Sequence, residues 1–112
     1  MILSKDEVNF YNDKGYLLVE DVITEDQHNE MLALVKDFFE RSKIVKENDN
    51  IFDLEDGHCP TNPRLKRVKQ PHQHSQFFWD IIKQSKIIGI LIDLLGKDIS
   101  LKTSKLNTKA PG

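Results

Sequence analysis

Cysteine is almost missing from this chain. Cys59 stands alone among 112 residues, which excludes an internal disulfide framework and fits a reducing compartment. Also missing is any apolar run near the roughly 20 residues a membrane span requires. The longest run, 87–95, is interrupted by Gly89 and Asp93. The opening Met1-Ile2-Leu3-Ser4-Lys5-Asp6 has no basic stretch followed by a long apolar one. No secretory signal is therefore expected, and the cytoplasm is the expected location. The five glycines are scattered, so no glycine-rich phosphate loop exists, and there are no internal repeats or low-complexity tracts. What is present is an ordinary globular composition: 30% charged residues, six Phe, two Tyr, one Trp and a mean hydropathy of −0.49. The length allows one domain, or part of a larger one.

A net charge of −2 conceals an asymmetry. Residues 1–59 hold six Lys/Arg against fifteen Asp/Glu, while residues 60–112 hold ten against three. Either the two halves complement each other on folding, or the basic half lines a site for an anionic ligand. A sequence pI near 6.1 and basic residues without interleaved aromatics disfavour a nucleic-acid partner.

Along the chain, Ser4-Lys5-Asp6-Glu7 has the form of a capping box and Gly15 that of a C-terminal stop, predicting a helix over 4–14. The β-rich run at 16–20 predicts a short strand. A second capping box at Thr24-Glu25-Asp26-Gln27 opens a helix to Arg41, and Met31, Leu32, Leu34, Val35, Phe38 and Phe39 form its expected buried face. Residues 43–63 are loop-like, with room for a short strand at Phe52 and Leu54, and 64–69 is expected to be extended before Pro71. Helices are predicted over 75–84 and 85–95, with Gly96 as a cap, then a strand of eight or more residues over 98–108 and a turn at Ala110-Pro111-Gly112. The fold class is α+β. The final strand needs a sheet partner that only 16–20, 51–54 and 64–69 can offer, so fraying and a marginal, aggregation-prone chain are expected.

Several residue groups have the chemistry for a site. His58, Cys59, His72 and His74 offer zinc-type donors, but without the spacing of a ligand pair; exposed loop histidines and a packed thiol are the simpler expectation. His28-Asn29-Glu30 has a His-x-carboxylate spacing, yet positions i and i+2 of a helix face different ways, so helix surface is expected there. Nothing around Cys59 marks an activated nucleophile, and Phe77-Phe78-Trp79 is expected in the core. On the last strand, period-2 alternation places Thr103, Lys105, Asn107 and Lys109 on one face. Two ammonium groups, an amide and a hydroxyl suit a dicarboxylate or other small anion, and equally suit a solvated strand face.

The run Phe10-Tyr11-x-x-x-Gly15-Tyr16-Leu17-Leu18-Val19 and the acidic turn Val22-Ile23-Thr24-Glu25-Asp26 resemble the start of the phytanoyl-CoA dioxygenase family. Leu94-Leu95-Gly96-x-Asp98-Ile99 and Lys105-Leu106-Asn107-x-Lys109-x-Pro111-Gly112 are similar to what precedes that family's metal motif. The resemblance implies the N-terminal part, residues 1–112, of a single domain built on a double-stranded β-helix (jelly roll). The implied activity is Fe(II)- and 2-oxoglutarate-dependent oxygenation of a small-molecule substrate. It implies co-substrate contacts for Asn107 and Lys109, a pocket-lining place for Lys105, a basic position near the co-substrate for Lys66, and a substrate contact for Thr103. The family's His-x-Asp pair, distal His and 2-oxoglutarate-binding Arg all fall beyond Gly112. The resemblance is therefore to an enzyme family whose iron ligands this chain does not carry; no metal ligand is assigned. Neither cofactor is expected to bind tightly to the chain alone, and the isolated chain is expected to be inactive. A non-catalytic α+β protein-interaction module is the alternative.

Overall fold

The computed structural model describes residues 1–111; Gly112, the last residue of the expected terminal turn, lies outside them. Helix α1 (Lys5–Lys14) begins where the Ser4 hydroxyl accepts from the Glu7 amide while the Glu7 carboxylate accepts from the Ser4 amide, so two orphan donors are satisfied reciprocally. It stops at Gly15, whose φ of 84° lets its N–H return to the Tyr11 carbonyl at 2.8 Å. Helix α2 (Glu25–Ser42) opens with the same device at Thr24 and Gln27. After it come strands β1 (Phe52–Leu54) and β2 (Leu65–Lys69), helices α3 (Pro71–His74), α4 (Gln76–Lys83) and α5 (Ser85–Leu95), and strand β3 (Lys105–Asn107).

The three strands form one antiparallel sheet in the order β1-β2-β3. Phe52 pairs with Val68 and Val68 with Leu106, so these three side chains cross one face in a line. Helix α2 closes that face. Phe38 meets Phe52 edge-on at a centroid distance of 6.4 Å and Phe78 of α4 at 6.4 Å, with Leu65 completing the buried set. At the far end of α2, the fully buried Ser42 donates to the Phe39 carbonyl at 2.6 Å. A second, smaller cluster joins the N-terminus to α5: Leu3 and Ile90 are buried, and Asp93 Oδ2 accepts from the Ile2 and Leu3 amides at 2.7 and 2.8 Å. Gly89 allows this approach, since a Cβ there would stand 2.6 Å from Ile2 Cγ1.

Four local expectations are corrected. Residues 16–20 form no strand: no member of the sheet pairs with them, and Tyr16 and Leu18 are 64% and 79% exposed, Tyr16 resting edge-on against Phe10 of α1. The last strand is regular only over Lys105–Asn107. Its partner runs out: Lys69 and Lys105 are the terminal pair, and at Gln70 the chain takes a φ of 50° and turns into α3. Helix α3 was not foreseen; Pro71 occupies its first turn, where a missing N–H costs nothing. The buried face of α2 is narrower than its apolar pattern, for Leu32 is 44% exposed.

The molecule is elongated, 51 × 27 × 25 Å, with a radius of gyration of 17.1 Å, against about 13 Å for a compact domain of this length. Its accessible surface of 8184 Å² compares with about 6,300 Å² for a compact monomer of the same mass.

Candidate anion-binding face of the sheet

With Phe52, Val68 and Leu106 turned into the core, the alternate residues emerge on the other face. The register sets Asp53 beside Arg67, Arg67 beside Asn107, and Lys69 beside Lys105. The Asp53 carboxylate bridges the two β2 cations, Oδ2 lying 3.4 Å from Arg67 Nε and Oδ1 3.1 Å from Lys69 Nζ. The Arg67 Nε is nevertheless buried and makes no aligned hydrogen bond. Among the described residues Lys105 has no ion-pair partner and stands opposite the like charge of Lys69.

A cleft of about 360 Å³ opens at this end of the sheet, lined by Asn50, Arg67, Lys69, Gln70, Thr103, Ser104 and Lys105. Gln70 fixes its wall. The Gln70 amide donates to the Ser104 carbonyl at 3.0 Å, its side-chain nitrogen to Thr103 Oγ1 at 2.8 Å, and its side-chain oxygen accepts from the Ser104 amide at 3.1 Å. These three bonds hold a non-glycine residue in the left-handed region. Ser104 Oγ is in turn 2.5 Å from His72 Nδ1, and the His72 ring stacks on Trp79 at 5.6 Å. On the loop before β1, Asp49 Oδ1 accepts from the Ile51 and Phe52 amides at 2.8 and 2.6 Å, and Lys69 Nζ donates to the Asp49 carbonyl. Partial burial by itself would raise the Asp49 carboxyl. The Phe52 and Ile51 amides, then the charges of Lys69 and His74, outweigh it and hold the group below its ordinary value.

The structure thus brings Thr103 and Lys105 into one cleft and sets Asn107 one residue pair further along the same face. Lys109 lies exposed beyond β3, and Lys66 is exposed at a bulge, the extra residue between the Asp53–Arg67 and Leu54–Leu65 pairs. Neither lines the cleft. Sequence reasoning missed Asn50, Arg67, Lys69 and Gln70. The period-2 rule applied to β3 would have found Arg67 and Lys69 on β2 as well, but the bulge at Lys66 breaks the alternation of Leu65 and Val68.

The zinc-type donors are not gathered into one site, and the histidines expected to be exposed loop residues are half-buried, His72 and His74 on α3. His58 accepts from the Arg64 amide at Nδ1 (2.8 Å), which places its ring hydrogen on Nε2, 2.9 Å from the Ser42 carbonyl. Cys59 Sγ sits 3.4 Å from Thr61 Oγ1; that contact, assisted by the Thr61 and Asn62 amides, lowers the thiol below its usual value. No group of three or more His, Cys, Asp or Glu among the described residues is gathered to hold a metal. No such set among the described residues would hold iron, and the sheet face has the positive charge that a carboxylate-bearing co-substrate would require. His28 and Glu30 lie exposed on α2. Of the two readings of the charge asymmetry, the first is seen in part: Glu55–Arg64, Asp53–Arg67 and Asp53–Lys69 join the acidic half to the basic half, while Lys105 is one of several lysines of the basic half without an ion pair among the described residues. No helix among the described residues is long and apolar enough to cross a membrane.

Comparison with known proteins finds distant relatives among dioxygenases, one of them named as alpha-ketoglutarate-dependent (alpha-ketoglutarate and 2-oxoglutarate being one compound). The chain is 29% identical over 101 residues to a probable alpha-ketoglutarate-dependent hypophosphite dioxygenase of Stutzerimonas stutzeri, covering 90% of this chain and 35% of that protein. It is 19% identical over 108 residues to an ectoine dioxygenase of Nocardia farcinica (strain IFM 10152), covering 91% of this chain and 32% of the relative. The chain spans about a third of the length of the curated relatives it matches. No protein-family model matches it.

Proposed function

We propose that this chain is the N-terminal portion of an Fe(II)- and 2-oxoglutarate-dependent oxygenase of the phytanoyl-CoA dioxygenase family. Its three strands would be the first of a double-stranded β-helix, and the whole protein a cytoplasmic hydroxylase of a small molecule. The observation that carries this is the two-sided sheet: its apolar face is sealed by α2, while its opposite face carries Lys105 and Asn107 beside Arg67 and Lys69. The partial alignments to two dioxygenases support it.

Iron, when bound, supplies oxygen activation, and its ligands lie outside the described residues. The role of this chain's own groups is binding and orientation. The Asn107 amide and the Lys109 ammonium supply hydrogen-bond donors and a charge for the carboxylates of 2-oxoglutarate, while Lys105 lines the pocket beside them. Thr103 Oγ1, already accepting from Gln70, keeps its own hydrogen for a substrate oxygen. Lys66, at the bulge, serves as a basic residue at the margin of the co-substrate site.

The coding frame beyond the Gly112 codon tests the proposal. A His-x-Asp pair shortly downstream supports it; a stop with no such pair overturns it in favour of the protein-interaction module. The purified 112-residue chain with Fe(II) and 2-oxoglutarate is expected to form no substrate-linked succinate, measured by coupled assay; succinate above the no-protein blank would show an iron site that the described residues do not display.

A further inference from the structure

The co-substrate leaves one end of the cationic face unassigned. We propose that the cleft between β2, the Gln70 turn and β3 binds a compact tetrahedral oxyanion, the charged group of the substrate, through Arg67, Lys69 and Lys105. That this anion is the substrate rests on the oxygenase proposal; that the cleft binds an oxyanion does not.

Three observations carry it. First, Arg67 lines the cleft, and its one ion pair, Nε to Asp53 Oδ2 at 3.4 Å, is not an aligned hydrogen bond, so the guanidinium is only partly engaged by Asp53. Second, Lys105 stands opposite Lys69 in the register, and the Lys69 ammonium is already held by Asp53 and the Asp49 carbonyl, so Lys105 is the cation at this end of the cleft without a counter-charge. An anion seated beside it would supply that counter-charge. Third, the donors reach the cleft from separate segments: the Asn50 loop, β2, the Gln70 turn and β3. Convergence from several directions suits an oxyanion with acceptor oxygens on all sides better than a flat carboxylate, which a single guanidinium fork already satisfies. The charged groups facing this point are Arg67, Lys69 and Lys105, opposed by Asp53, with Asp49 committed to the turn amides. The net charge of the sheet face is positive. Gln70 keeps the wall rigid in the absence of a ligand, so little ordering is required on binding.

The test is an amide-resolved NMR titration of the 112-residue chain with inorganic phosphate at constant ionic strength, with 2-oxoglutarate as the second ligand. Saturable shifts confined to residues 67–70 and 103–105 are expected. Lys105→Gln, at an exposed position without a partner, leaves the fold intact and is expected to weaken phosphate about tenfold, the loss typical of one charge-assisted contact. Asp53→Asn removes the competing carboxylate and is expected to tighten binding several-fold, an outcome a merely structural Asp53 would not give. Lys36→Gln, on the exposed side of α2, is expected to change nothing. Absence of saturable shifts at these residues, or phosphate binding indifferent to both Lys105→Gln and Asp53→Asn, overturns the proposal. So does 2-oxoglutarate occupying the same residues more tightly than phosphate, since the cleft is then the co-substrate's. A missing His-x-Asp downstream overturns the oxygenase proposal and leaves phosphate binding standing; missing phosphate binding beside an intact His-x-Asp overturns only this one.

Discussion

The two faces of the small sheet are built from the same strands yet obey different rules. On one, Phe52, Val68 and Leu106 are matched by Phe38 and Phe78, and water is excluded. On the other, three cations and one carboxylate share a surface that nothing among the described residues covers. The buried face is where folding free energy comes from, because apolar area leaves water there. The open face lowers stability slightly, which a protein tolerates where recognition requires it.

Substitutions can break this contrast, and the largest effect belongs to the buried face. Phe38→Ala empties the space between Phe52 and Phe78 and is expected to cost about 3–5 kcal/mol, enough to unfold a chain this small; loss of the cooperative urea transition would show it. Next is the joint that holds α2 against the sheet's connecting loop. His58→Ala strips the Ser42 carbonyl and the Arg64 amide of their partners and is expected to cost about 2 kcal/mol, whereas His58→Gln restores part of this if its amide spans the same gap. A smaller effect comes from Asp49. Its carboxyl is held below the ordinary value in the folded chain, so its contribution is fully present above the unfolded value of about 3.9 and is lost as the pH falls through the lower folded value. Urea midpoints at pH 7 and pH 3 are expected to fall further for the parent than for Asp49→Ala, which has already lost that turn. Smallest, and opposite in sign, is the open face: Lys105→Gln removes the repulsion from Lys69 and is expected to stabilise by a few tenths of a kcal/mol. A clear destabilisation by Lys105→Gln would mean that the open face contributes to folding after all.

What the sequence disclosed follows the same division. Helix ends were legible because their signals are local: the boxes at Ser4–Glu7 and Thr24–Gln27 form as read, and α5 spans 85–95 as predicted. Strand lengths were not, since pairing depends on a partner distant in sequence. Residues 16–20 have the composition of a strand and no partner, and 98–104 lose theirs where Gln70 turns away. The alternation of Thr103, Lys105, Asn107 and Lys109 was readable, and all four are exposed. Their gathering with Arg67 and Lys69 was hidden by one extra residue, Lys66, which shifts the parity of β2. Gln70 carried no signal at all, because a left-handed glutamine is selected by the bonds it makes to Thr103 and Ser104, 33 and 34 positions away.

The elongated outline has a practical consequence for work in solution. A particle 51 Å long and about half as wide meets more friction than a sphere of equal mass. On a sizing column it is expected to run ahead of globular standards of 13.0 kDa. An early elution volume therefore reports shape, and only a mass measured by light scattering or sedimentation equilibrium distinguishes a single chain from a pair.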